Sequence, residues 1–158
     1  MSNNKKFQNL IKDIERMKNF EKSEGMRKLL STTASRLESI SDESFEFKQS
    51  PFEEKWQDRA KSTKLKLLRE KKLSQSDILQ VSGHLRRSIH TKIGIDSVIL
   101  GTNVNKSYAP IHQFGGYAGR GKKVKIPKRA YLPINDKGQL PKPLEKDIET
   151  MIWKFLEI

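Results

Sequence analysis

YAPIHQFGGYAGRGKKVKIPKRAYLPI, Tyr108–Ile134, joins an aromatic-polar turn, four glycines, six basic residues and a proline-stiffened exit in one connected segment. Tyr108 and Phe114 read as large anchors at either end of a turn between strands. Pro110 stiffens the approach, and Gly115-Gly116 opens backbone angles that other residues resist. His112 and Gln113 supply donors and acceptors to tie the loop base down. Lys122–Ile126 alternates Val124 and Ile126 with Lys123 and Lys125, as a half-buried strand does, and Pro127 ends it. YAPIHQFGG is therefore mainly structural, and it sets where the basic loop leaves the body. Between Gly115 and Lys125 the glycines predict a mobile loop that orders on a partner. Arg120, Lys122, Lys123, Lys125, Lys128 and Arg129 form its basic set, with Tyr117 before and Tyr131 after, a footprint suited to a phosphate backbone or a single strand. Arg129 is also placed to pair with a carboxylate, across a subunit boundary. The bland alternative is a soluble surface hairpin.

Upstream, Ile89–Ile95 and Ser97–Thr102 are rich in β-branched residues around Gly94-Ile95-Asp96 and predict a hairpin covered on both faces. The shift from helical to alternating periodicity near His90 places a small, mainly antiparallel sheet over Leu85–Ile134. Before it, Phe7, Leu10, Ile11, Ile14 and Met17 recur at helical spacing, giving a helix over Lys5–Phe20. Gly25 breaks the pattern, and Met26–Ile40 forms a second helix, so residues 1–48 make a helical hairpin. Ser41–Lys48 is either a short strand or the last turn of that helix. Pro51 fixes a turn, Trp56 anchors into the core, and Asp58–Lys72 is a partly exposed basic helix, completing a turn-plus-helix part at 49–75. Residues 76–135 hold the sheet and basic loop. Pro143 opens a closing helix at 142–158 with Leu144, Ile148, Met151, Ile152 and Phe155 on its apolar face. The fold class is α+β in a single domain, 1–158, with the closing helix packed on the sheet.

The chain has 158 residues and a formal charge of +13, with 32% charged residues against 34% hydrophobic ones. That balance favours nucleic acid, an anionic membrane or an acidic protein surface, or else a lysine-rich solvated surface. Cysteine is absent, which removes disulfides and thiolate chemistry. The N-terminus has no apolar signal-peptide core, and no apolar run is long enough to span a bilayer. His84, His90 and His112 lack metal-ligand spacing, no nucleophile elbow occurs, and the glycines are not followed by the Gly-Lys-Ser/Thr of a phosphate loop. Glu53-Glu54-Lys55 holds a short Glu-x-Lys of the kind some nucleases use, and reads as surface charge. No catalytic residue, metal or cofactor is expected.

Four segments in order resemble the virion morphogenesis (tail completion) proteins of Mu-type tailed bacteriophages. They are SPFEEKW at Ser50–Trp56, ILQVSGHLRRSIH at Ile78–His90 with Gly83 inside it, SVILGTNVNKSYAPIHQFGG at Ser97–Gly116, and IPKRAYLPI at Ile126–Ile134. One departure is PFEEKW, where many relatives carry Asp-Gly after the proline. The resemblance implies a non-enzymatic assembly protein, a homo-oligomeric ring subunit bound to other tail or neck proteins. It further implies a place in the virion, with the host bacterial cytoplasm as the site of assembly. Direct, sequence-independent DNA contact is a further expectation; a membrane partner is not.

Overall fold

A computed structural model describes residues 8, 9, 11–15, 24–73, 77–103 and 108–156. Residues 8, 9 and 11–15 are helical; the joint expected between the first two helices lies outside the described residues. Helix α1 (Glu24–Phe47) buries Leu30, Ala34, Leu37, Ser41, Ser44 and Phe45, a stripe at three- and four-residue spacing. Gly25 sits inside its first turn and does not break it. Ser41–Phe47 is helix, because Phe45, on that stripe, is fully enclosed. Lys48 turns left-handed (φ 54) and Gln49 N donates to Ser44 O, which ends the helix.

The Pro51 turn is held by Ser50. Its Oγ accepts from Phe52 N and Glu54 N, while its backbone N donates to Glu54 O at 2.7 Å. Glu53 occupies the left-handed region (φ 65), at a conformational cost of about 1–2 kcal/mol for a residue with a Cβ. Trp56 then returns to the core, its N bonded to Lys48 O at 2.8 Å. Helix α2 (Lys61–Arg69) is shorter than the basic run and buries Leu67, with Leu65 and Leu68 exposed.

Gly83, left-handed at φ 67, precedes the short helix α3 (His84–Arg87). Strands β1 (Ile89–Ile93) and β2 (Val98–Thr102) form the expected hairpin, closed by Gly94 N to Ser97 O at 2.7 Å. Val98 and Leu100 are half-buried but Ile99 is exposed, so the ribbon is covered on one face and not on both. That covering is α1. Glu38 Oε1 accepts from Thr91 N and Oγ1, and Arg86 makes a two-point ion pair with Asp42, holding that carboxyl below its usual range. Helix α4 (Ala109–Phe114), strand β3 (Gly116–Ala118), a 3-10 turn (Arg120–Lys122) and strand β4 (Val124–Ile126) follow. The strands thus form two separate two-stranded ribbons, β1–β2 and β3–β4. Helix α5 (Lys142–Leu156) lies mainly against α1, tied by Arg36–Asp147, and its Ile148 and Ile152 line a groove together with Val98–Leu100 of β2. Trp153 faces outward.

The core sits where these parts meet: Phe45, Trp56, Leu85, Ala109 and Tyr131. Trp56 packs edge-on against Phe45 at 5.4 Å, and its Nε1 donates to Ala130 O at 2.9 Å. Phe114, expected in this core, is 50% exposed. In urea melts Trp56→Ala is expected to lose about 3–5 kcal/mol, as truncated core aromatics do, while Phe114→Ala stays within about 0.5 kcal/mol of wild type. Equal losses would contradict this core.

Candidate interaction surface

Helix α4 begins with Pro110 in its first turn, where a missing N–H costs no bond, and ends at Gly115. The turn expected at Tyr108–Phe114 is this helix. Helical spacing explains why Phe114 misses the core. Residues six apart do not share a helix face, whereas those four apart do. Ala109 and Gln113 point inward together, and Pro110 and Phe114 point outward together. Tyr108 is half-buried and meets His112 edge-on at 6.0 Å.

Gln113 is buried and uses its whole hydrogen-bonding capacity. Nε2 donates to Leu132 O (3.1 Å) and Ile134 O (3.0 Å), while Oε1 accepts from Tyr131 N (3.0 Å) and Leu132 N (2.9 Å). Tyr131 Oη donates to Ala109 O at 3.1 Å, and Arg129 N donates to His112 O at 2.7 Å. Burial, then neighbouring Tyr108, pushes the Tyr131 hydroxyl up to about 12. Arg129 does not extend toward a partner: it is buried, and its Nε and Nη2 donate to Gln57 O (2.8 Å) and Asp58 O (3.0 Å). Burial also holds its pKa below the usual guanidinium value.

The β3–β4 ribbon rises from this frame. Gly115 has φ 77, and a Cβ there would come within 3.1 Å of Lys128 N, so only glycine lets the two arms approach. Lys128 bonds Asp136 at 3.2 Å, back toward the body, and Pro127 is half-buried. Arg120, Lys123, Lys125 and Tyr117 are exposed on the ribbon, and Lys122 lies in its turn. The basic run predicted as one surface therefore divides. Arg120, Lys123 and Lys125 face solvent, while Lys128 and Arg129 are engaged at the base. The segment expected to be a loop is largely a ribbon; β3 escaped notice because a Tyr-Ala pair between glycines is too short to show alternation. Glu53 and Lys55, the suggested nuclease pair, are exposed on a turn. Among the described residues, no three His, Asp or Glu side chains cluster to hold a metal ion, and no helix is long and apolar enough to cross a membrane.

The sequence profile of the phage virion morphogenesis family matches residues 3–149. Mu-like prophage FluMu G protein 2 of Haemophilus influenzae is 46% identical over 61 residues, which are 39% of this chain and 43% of that protein. The match thus spans less than half the length of that relative. No solved structure matches.

Two outcomes test the frame. Gln113→Leu strands the Tyr131 and Leu132 N–H groups and the Ile134 carbonyl, and is expected to cost about 3–5 kcal/mol in denaturant melts, since each buried unpaired group costs about 1–3 kcal/mol. A loss below about 1 kcal/mol would show that water replaces the amide. His112 gives a pH signature. Burial first, then the charge of Arg129, lowers its pKa from 6.5. The unfolded chain therefore binds the proton first, and stability declines as pH falls below that ordinary value, levelling once the folded protein protonates. His112→Gln is expected to remove this decline from urea melts taken at about pH 7 and about pH 5.5; an unchanged slope would exclude His112 as its source.

Proposed function

The chain belongs to the phage virion morphogenesis family, and from that premise we propose that it is a non-enzymatic subunit acting in tail completion or head–tail joining, as one member of a homo-oligomeric ring. A role in building the phage particle follows from the family itself. The observation that carries the finer reading is the exposed basic ribbon on a rigid base. Arg120, Lys123 and Lys125 stand on a projection whose foot is locked by Gln113, Arg129 and Gly115. A body that holds one short ribbon so firmly is built to present it. Repeated around a ring, the ribbons would turn positive charge toward neighbouring neck or tail proteins, or toward DNA in the central passage. DNA there would be met through phosphate without reading of sequence.

The same exposed charge beside Tyr117 favours a second reading, a nucleic-acid-binding module that uses residues 117–129 as a monomer. Oligomeric mass separates the two: a ring with weak, salt-sensitive DNA affinity fits assembly, and a monomer with tight affinity fits the module.

Neutralising Arg120, Lys122, Lys123 and Lys125 to glutamine is expected to leave the melting temperature unchanged, because exposed charges such as Arg120, Lys123 and Lys125 contribute little to stability. Particle completion is expected to fail, with heads and tails accumulating apart. In wild type, the logarithm of any DNA affinity is expected to fall with log salt at a slope of about −3.6 if all four cations meet phosphate. Infectious particles at wild-type yield from the quadruple variant would overturn the role of the ribbon.

A further inference from the structure

A groove of about 900 Å³ runs beside β4. All three residues of β4 line it and none of β3 does; residues from 57–63 and 78–85 complete its walls. Three features converge on it. First, β4 pairs with β3 alone, so among the described residues its outer edge carries no strand. An open edge offers a row of N–H and C=O groups to an extended chain. Second, Arg59 Nη2 and His112 Nδ1, from two residues that line the groove, are buried and without a hydrogen-bond partner. Buried polar atoms are nearly always paired, so two orphans in one groove mark a site that incoming polar groups complete, with an acceptor for Arg59. Third, the lining is cationic: Arg59, Lys125 and Arg129 stand against Asp58, whose carboxylate is already engaged by Lys64.

We propose that this groove receives an extended acidic segment of another protein of the particle, which adds as a strand to β4 and brings a carboxylate to Arg59. The proposal rests on the assembly reading and supplies a partner chemistry for a face that the ribbon tip does not use. Exposed Val81 and Val124, with half-buried Ile78 and Leu79, give the alternate side chains of such a strand apolar ground. A phosphate backbone offers acceptors but no N–H to meet the carbonyls of a strand edge, which favours peptide over DNA. A second copy is disfavoured at this groove because its acidic clusters among the described residues lie in helices (42–46 and 145–149) or in the Pro51 turn (Glu53-Glu54), and none is an extended strand.

The test uses the full chain and a fluorescein-labelled peptide of five Glu-Val repeats, followed by anisotropy, with five Lys-Val repeats as the control. The acidic peptide is expected to bind and the basic one not. Arg59→Met is expected to weaken binding at least about tenfold with an unchanged melting temperature, the loss of a charge-assisted bond. Lys125→Glu, on the exposed rim, gives the same direction if Arg59→Met fails to fold. Amide exchange at Val124–Ile126 is expected to slow in the complex. No binding, equal binding of both peptides, unaltered affinity in the variants, or unchanged exchange at β4 would each overturn the proposal. Complete displacement by a 20-base-pair duplex would reassign the groove to phosphate. Loss of a homo-oligomer on Arg59→Met, seen by sedimentation, would reassign it to a second copy. If peptide binding fails while a variant neutralised only at Arg120 and Lys123, which do not line the groove, still blocks particle completion, the groove inference falls and the assembly reading stands.

Discussion

Residues 129–134 form an irregular segment, bent at Leu132-Pro133, that among the described residues pairs with no strand. Buried peptide groups left unpaired cost about 1–3 kcal/mol each, so such a path requires partners from elsewhere. The Gln113 amide provides them, with two donors and two acceptors in one planar group, and so stands in for the missing strand. Trp56 Nε1 on Ala130 O and the Tyr131 hydroxyl on Ala109 O extend the same solution in both directions. Each of these side chains comes from a different part of the chain, and together they bind α4, the Pro51 turn and the exit segment into one frame.

The two surfaces of interest are consequences of that frame. A two-stranded ribbon of three residues per strand has little stability of its own. Its position is set at its foot, by Gly115 against Lys128 and by Arg129 anchored to the carbonyls of Gln57 and Asp58. The same anchoring of residues 57 and 58 leaves Arg59 lining the groove and keeps the β4 edge apart from the wall that faces it. Neighbouring cations thus do different work. Arg129, desolvated and bonded to backbone, holds the structure, while Arg120, Lys123 and Lys125 remain in water, where their charge acts at a distance.

Much was legible from local pattern. The β-branched runs at 89–102 and the glycine between them are short-range signals, and the hairpin follows them closely. Trp56 after a proline turn declared itself by size, since a chain of this length has few places to hide an indole. The basic run was plain as composition. Its division was not, because burial of Arg129 depends on carbonyls about seventy residues away, which no local window contains. The same holds for Arg59, an ordinary cation in a basic stretch until the β4 edge is set beside it.

Phe114 and Gln113 mark the boundary most clearly. Both stand in IHQFGG; size assigns the phenylalanine to the core, and the amide reads as a tie for the loop base whose partners no local window contains. The chain itself determined most of the elements, α4 and β3 excepted: helical or alternating periodicity, turns at Pro51, Gly94 and Gly115, excess positive charge and absence of cysteine. These depend on neighbours within a few residues. Tertiary structure decided which face of α4 turns inward. There, a buried irregular segment needed hydrogen bonds more than the core needed another ring, and only the amide could supply them.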